Sequence, residues 1–160
     1  MQTELLNVFI ESASEVLESE LGVAVSCGKV STNVSTYITD DVTVLISLVG
    51  DVSGIAFYSM TLETAKAFVG CMLFQEIEEF DDLAQSGIGE LGNVITGQSG
   101  TKLAEMGFEI QISVPTLLVG SGSSISTLDI KRHIVILETE LGHFRLNLAL
   151  RESATVDDLF

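Results

Sequence analysis

The chain has 160 residues, 46% of them hydrophobic, and carries a formal net charge of −16 with a sequence pI of about 4.1. This is the length of one domain with enough apolar residue for a sizeable core, which excludes general disorder. Charge of this sign repels nucleic acid and anionic membranes at long range, no apolar run approaches the ~20 residues that span a bilayer, and a protein partner is expected to offer basic groups.

The N-terminal stretch "MQTELLNVFIES" is acidic and amphipathic, unlike a signal peptide, so a cytoplasmic location is expected. Residues 4–20 have the spacing of an amphipathic helix, with Leu5, Phe9, Ala13, Val16 and Leu17 near one face and Gly22 placed to end it. "GVAVSCGKV" reads as a short strand, and residues 30–41, rich in Ser, Thr, Asn and Asp, as loop or an irregular edge. Residues 42–60 read as a strand pair turning at "GDVSG". Thr61 is placed to cap a helix in which Leu62, Ala65, Phe68, Val69, Met72 and Leu73 recur at helical spacing.

A polar linker, "EIEEFDD", leads to a long helix that Asp81 or Asp82 can cap and that runs to about Met106, with Gly107 as its stop. "FEIQISVP" reads as a strand ended or edged by Pro115, and "STLDI" as a short strand. "HIVILETELGHFRLNLALRE" reads as a second hairpin turning near Leu141 to His143. One domain over 1–152 is expected, followed by an acidic tail over 153–160. Cys27 and Cys71 have no CxxC spacing and read as small buried residues in a reducing compartment. His133 and His143 match no ligand spacing, so no metal site built from the chain's own ligands is expected.

An internal repeat links the halves. Glu4, Leu5, Asn7, Val8 and Leu17 match Glu90, Leu91, Asn93, Val94 and Leu103, and each copy runs on to glycine and an apolar strand. The hairpins "VLISLVGDVSGIAFYS" and "VILETELGHFRLNLAL" share a pattern as well. The expectation is a pseudo-twofold α+β domain, an antiparallel or mixed sheet packed with two long helices.

The long helix contains "SGIGELGNVITG", whose four glycines each weaken a helix interior by about 1 kcal/mol relative to alanine. At about 100° per residue, with Ser86 at zero, Glu90 falls at about 40°, Asn93 at about 340° and Gly97 at about 20°. Ala84, Ile88, Leu91 and Ile95 fall on the opposite side, between about 140° and 200°. The polar stripe therefore faces outward. Gly89 and Gly92, at about 300° and 240°, flank it, and with Gly97 they are expected to let a partner's backbone approach.

An exposed glutamate can accept from a lysine. A neutral asparagine amide is a poor base but holds water well, which suits phosphoryl hydrolysis, where positioning an in-line water dominates. Alone, an ExxN pair is equally what a solvated helix face shows; the glycines distinguish this one.

The pattern S-x-x-x-E-x-x-N-x-x-x-G resembles the signature of the CheC/CheX/FliY chemotaxis phosphatases, and "LLNVFIESASEVLESELG" and "ISVPTLLVGSG" are similar to stretches of its CheX-like members. The resemblance covers nearly the whole chain. It implies a phosphatase acting on the aspartyl phosphate of a CheY-type response regulator, with Asn93 positioning the attacking water and Glu90 pairing with a lysine of the regulator. Ser86, Gly89 and Gly97 would lie in the contact, and the Mg²⁺ would be held by the regulator, with no cofactor bound by this chain.

The first-half copy has Glu11 where Gly97 stands in the second and is expected to be degenerate, which favours a CheX-like over a CheC-like protein. Met1 also stands too close to Glu4 for a helix turn to precede that copy. The resemblance further implies a homodimer. Two other readings compete: a CheX-like module that binds a regulator without catalysis, and an adaptor for the deamidase CheD.

Overall fold

The computed structural model describes residues 3–33, 36–128 and 130–153. The first amphipathic segment forms helix α1, Thr3–Leu21, and Gly22 ends it in the left-handed region at φ +67°, its N–H donating to the Glu18 carbonyl at 2.9 Å. Strand β1 is Ser26–Asn33, later than the sequence reading placed it. The polar stretch after residue 30 is in part this strand, because pairing with a neighbour satisfies its backbone where side-chain pattern gives no signal. A two-residue strand, β2, Tyr37–Ile38, follows.

Strands β3, Val42–Gly50, and β4, Val52–Met60, form the expected hairpin. Thr61 caps helix α2, Leu62–Leu73, by accepting from the Thr64 N–H at 3.1 Å. Asp81 caps helix α3, Asp82–Glu105, by accepting from the Ala84 N–H at 2.9 Å.

The segment after α3 departs most from expectation. "FEIQISVP" supplies only β5, Ile110–Ile112, and a further strand, β6, Thr116–Val119, resumes beyond Pro115. Both pair antiparallel with β3, so they are two halves of one edge strand. "STLDI" forms no strand among its described residues; β7 is Ser124–Ile125 and pairs with β2. The last hairpin is β8, Arg132–Thr139, and β9, Gly142–Glu152, turning at Glu140–Leu141, so His143 already lies in the strand.

The strands run β1-β8-β9-β4-β3, with β5 and β6 sharing the far edge, and every pair is antiparallel. β4 and β9 are central, with Ala56 opposite Leu148 and Phe57 opposite Asn147. Around them the expected twofold relation is visible: α1, β1 and β3–β4 correspond to α3, β5 and β8–β9. Each half gives its post-helix strand to the other, since β1 pairs β8 and β5 pairs β3.

The helices cover one sheet face. Val44, Ile46, Tyr58, Leu137, Leu146 and Leu148 meet Phe9, Phe68, Ile88 and Ile95 in one buried core. On the other face β2 lays Tyr37 against Phe57, ring centroids 5.2 Å apart, and the Tyr37 hydroxyl donates to Ser59 at 2.7 Å.

Cys27 is exposed on β1 and Cys71 half-buried, so neither is the buried core thiol expected, and no disulfide joins them. Of the expected tail only Ser153 lies among the described residues; its N–H donates to the Asp51 carbonyl at 2.8 Å and its hydroxyl to the Gly50 carbonyl. Met1 also lies outside the described residues. Among the described residues no helix is long and apolar enough to cross a membrane.

Candidate functional site

Helix α3 lies on the sheet with Ala84, Ile88, Leu91 and Ile95 buried beneath it. This is the apolar side read from periodicity. Ser86 and Glu90 are exposed and Asn93 half-buried on the outer side. Residues three apart on a helix place their Cβ atoms about 5–6 Å from each other, so Glu90 and Asn93 can act on adjacent groups of one partner.

The glycines divide into two kinds. A Cβ at Gly97 would meet nothing within 4 Å, so the chain's own packing does not require glycine there. Gly92 is buried, and a Cβ on it would lie 2.9 Å from Val44 Cγ1 and 3.3 Å from Tyr58 Cδ2. It faces the sheet and cannot serve a partner, contrary to the sequence reading. Gly89 is also buried, with Pro115 Cγ 3.8 Å from where its Cβ would be. It contributes to a partner surface only as part of a cleft wall.

A buried relay fixes α3 at this height. Thr96 donates its hydroxyl to the Gly92 carbonyl at 2.8 Å and contacts the Tyr58 hydroxyl at 2.6 Å. Thr96 has one hydrogen and spends it on the carbonyl, so Tyr58 is the donor between the two hydroxyls. Burial pushes the Tyr58 phenol well above its ordinary pKa, so it remains a neutral donor at any physiological pH. On the other flank Lys102 reaches Glu15 at 3.1 Å and Glu11 at 3.4 Å, tying α3 to α1.

Glu11, the residue in the place of Gly97 in the first copy, is thus engaged with Lys102. Glu4 and Asn7 are exposed on α1.

Between α3 and the far edge of the sheet opens a cleft of about 460 Å³. Asp82, Ser86, Gly89 and Glu90 line one wall and Pro115 and Leu117 the other. Sequence reasoning missed the second wall. Among the described residues no group of three or more His, Cys, Asp or Glu side chains could hold a metal ion.

The family model described as "Chemotaxis phosphatase CheX" matches residues 42–138, which span the first hairpin, the whole of α3 and nearly all of β8. The chain belongs to this family. It is 30% identical over 152 residues to the CheY-P phosphatase CheX of Thermotoga maritima, covering 94% of this chain and 98% of the relative. Its fold matches the CheX of a solved CheX-CheY-BeF3-Mg²⁺ complex from Borrelia burgdorferi with a TM-score of 0.80 at 28% identity, covering 94% of this chain and 100% of the other. A chemotaxis protein CheX from Desulfovibrio desulfuricans matches with a TM-score of 0.83 at 24% identity, covering 94% and 99%. This family membership accounts for the α+β architecture, in which the three helices share one face of an antiparallel sheet.

Proposed function

We propose that the chain hydrolyses the aspartyl phosphate of a CheY-type response regulator, and that Glu90 and Asn93 carry the chemistry. The relative from Thermotoga maritima bears that activity in its name, and the relative from Borrelia burgdorferi is seen with its CheY. The observation that carries the residue assignment is the open ground at Gly97 beside the exposed Glu90 and half-buried Asn93, in a helix whose other face is fully committed to the core.

In this reading Glu90 accepts from a lysine of the regulator and fixes the register of docking. The Asn93 amide then reaches the phosphoryl group. Its oxygen accepts a hydrogen from a water and aims that water in line with the scissile bond. The water oxygen forms the new bond to phosphorus, the bond from phosphorus to the aspartate oxygen breaks, and inorganic phosphate leaves. The Mg²⁺ that supports such a transfer belongs to the regulator.

Two further proposals accompany this one. The chain acts in the cytoplasm, where its regulator is phosphorylated. It also works as a homodimer: among the described residues β1 is the end strand of the sheet, with Val30 exposed, and an edge strand is a template for pairing with a second copy. Analytical ultracentrifugation across a concentration series tests the dimer.

The activity is tested by following phosphate release from a phosphorylated CheY-type regulator in Mg²⁺ with wild type and Asn93→Ala. Wild type accelerates decay. The variant binds the regulator but loses about a hundred-fold in kcat, the scale of a lost positioning contact. If wild type binds without accelerating decay, the protein is a non-catalytic binding module.

A further inference from the structure

We infer that the bulge at Ser113–Pro115 makes a second recognition element of this site, one that takes an apolar side chain of the regulator next to the lysine paired with Glu90. The inference rests on the docking part of the proposed function. Between the pairs Leu48–Ile112 and Leu45–Thr116, three residues of the edge strand, Ser113 to Pro115, stand opposite two of β3, Ile46 and Ser47. That extra residue is a β-bulge, a device that re-aims side chains at sheet edges.

The bulge is held on both sides. Ser113 donates its N–H to the Ser47 carbonyl and accepts the Ser47 N–H on its hydroxyl, both at 2.9 Å. Pro115 has no N–H to leave unpaired. A rigid apolar pair results: Val114 is 82% exposed, and Pro115 packs over Gly89 to form the cleft wall facing Ser86 and Glu90. On the far side of the stripe Leu83, at about 60° on the helical wheel, is also exposed, at 61%. Single exposed apolar residues are ordinary, but here Leu83 stands on the helix of the stripe and Val114 is the chain neighbour of Pro115 in the cleft wall.

Three observations commit the occupant to the regulator. The cleft shares Ser86 and Glu90 with the proposed contact, so a partner seated on Glu90 covers its mouth. Its charged lining residues are the acids Asp82 and Glu90, with no basic group, so it rejects a phosphate or carboxylate. Its second wall is Pro115 and Leu117, which reward an apolar side chain.

The test uses the full chain and a CheY-type regulator activated with beryllofluoride and Mg²⁺, with Kd measured by titration and kcat and KM measured on the phosphorylated regulator. Val114→Ser is expected to weaken Kd and raise KM at least five-fold with kcat within two-fold, and Val114→Leu to stay within two-fold of wild type in all three. The site is exposed, and an unchanged Tm for both variants excludes misfolding as the cause. If Val114→Ser binds within two-fold of wild type while Glu90→Gln binds weakly, the bulge is not a recognition element and the proposed docking survives. If Glu90→Gln binds as tightly as wild type, the docking itself falls, and this inference with it. If Val114→Ser binds weakly but wild type does not hydrolyse, catalysis falls and the recognition element stands.

Discussion

Gly92 meets Val44 so closely that an added Cβ would lie 2.9 Å from Val44 Cγ1, inside the buried layer between α3 and β3. The helix therefore sits lower on the sheet than any side chain at this position allows. Gly92→Ala gains about 1 kcal/mol of helix propensity, but overpacking a well-filled core costs about 1–3 kcal/mol. The expected outcome is net destabilisation, read as a lower urea midpoint with an unchanged m-value.

Gly97 gives the opposite result. Its Cβ would enter open space, so Gly97→Ala recovers about 1 kcal/mol and raises Tm. If the stripe is where the regulator approaches, the same variant loses affinity for it. A stabilised protein with unchanged regulator binding would remove Gly97 from the contact.

The Tyr58–Thr96 bond makes an asymmetric prediction. Thr96→Val strands the buried Tyr58 hydroxyl and costs about 1–3 kcal/mol. Tyr58→Phe leaves Thr96 its bond to the Gly92 carbonyl and costs about 1 kcal/mol. Thermal denaturation of both, and of the double variant, should show the second change costing little once the first is made. Additive losses would mean the hydroxyls do not depend on each other.

His133 gives the fold a pH dependence. Burial, assisted by the positive charge of Lys131, lowers its imidazole below the ordinary value of 6.5. The unfolded chain therefore binds the proton more readily than the folded one. The stabilising difference is complete above 6.5 and is lost as pH falls through the lower folded value. His133→Gln should flatten the decline of stability below pH 6.5 relative to wild type, measured by urea titration at each pH. Parallel declines would remove His133 from the pH dependence.

The sequence carried the helices and both hairpins because their apolar residues recur at periods of 3.6 and 2. Thr61 and Asp81 stood where caps were needed, and the Glu90 stripe faced outward because the large apolar residues of α3 fixed the inner side. The failures have physical causes. Pro115 reads as a strand end, yet proline is tolerated at a bulge on an edge strand, so the strand could resume at Thr116. β2 and β7 are two residues each, too short for any period. Gly92 weighed nothing on the wheel because glycine has no side chain to count. A signal was present: Gly89, Gly92, Thr96 and Ser99 form a small-residue seam at helical spacing, the mark of close approach to a sheet.

The exchange of β1 and β5 between the halves has a consequence for folding. Either half alone would expose a strand edge on each side of its hairpin, so each needs the other to complete its sheet. The arrangement is like a swapped dimer closed within a single chain. A lesion in the first half then reaches the second through β1 and β8 and unfolds α3 with everything else. Neither half has a complete sheet without the other.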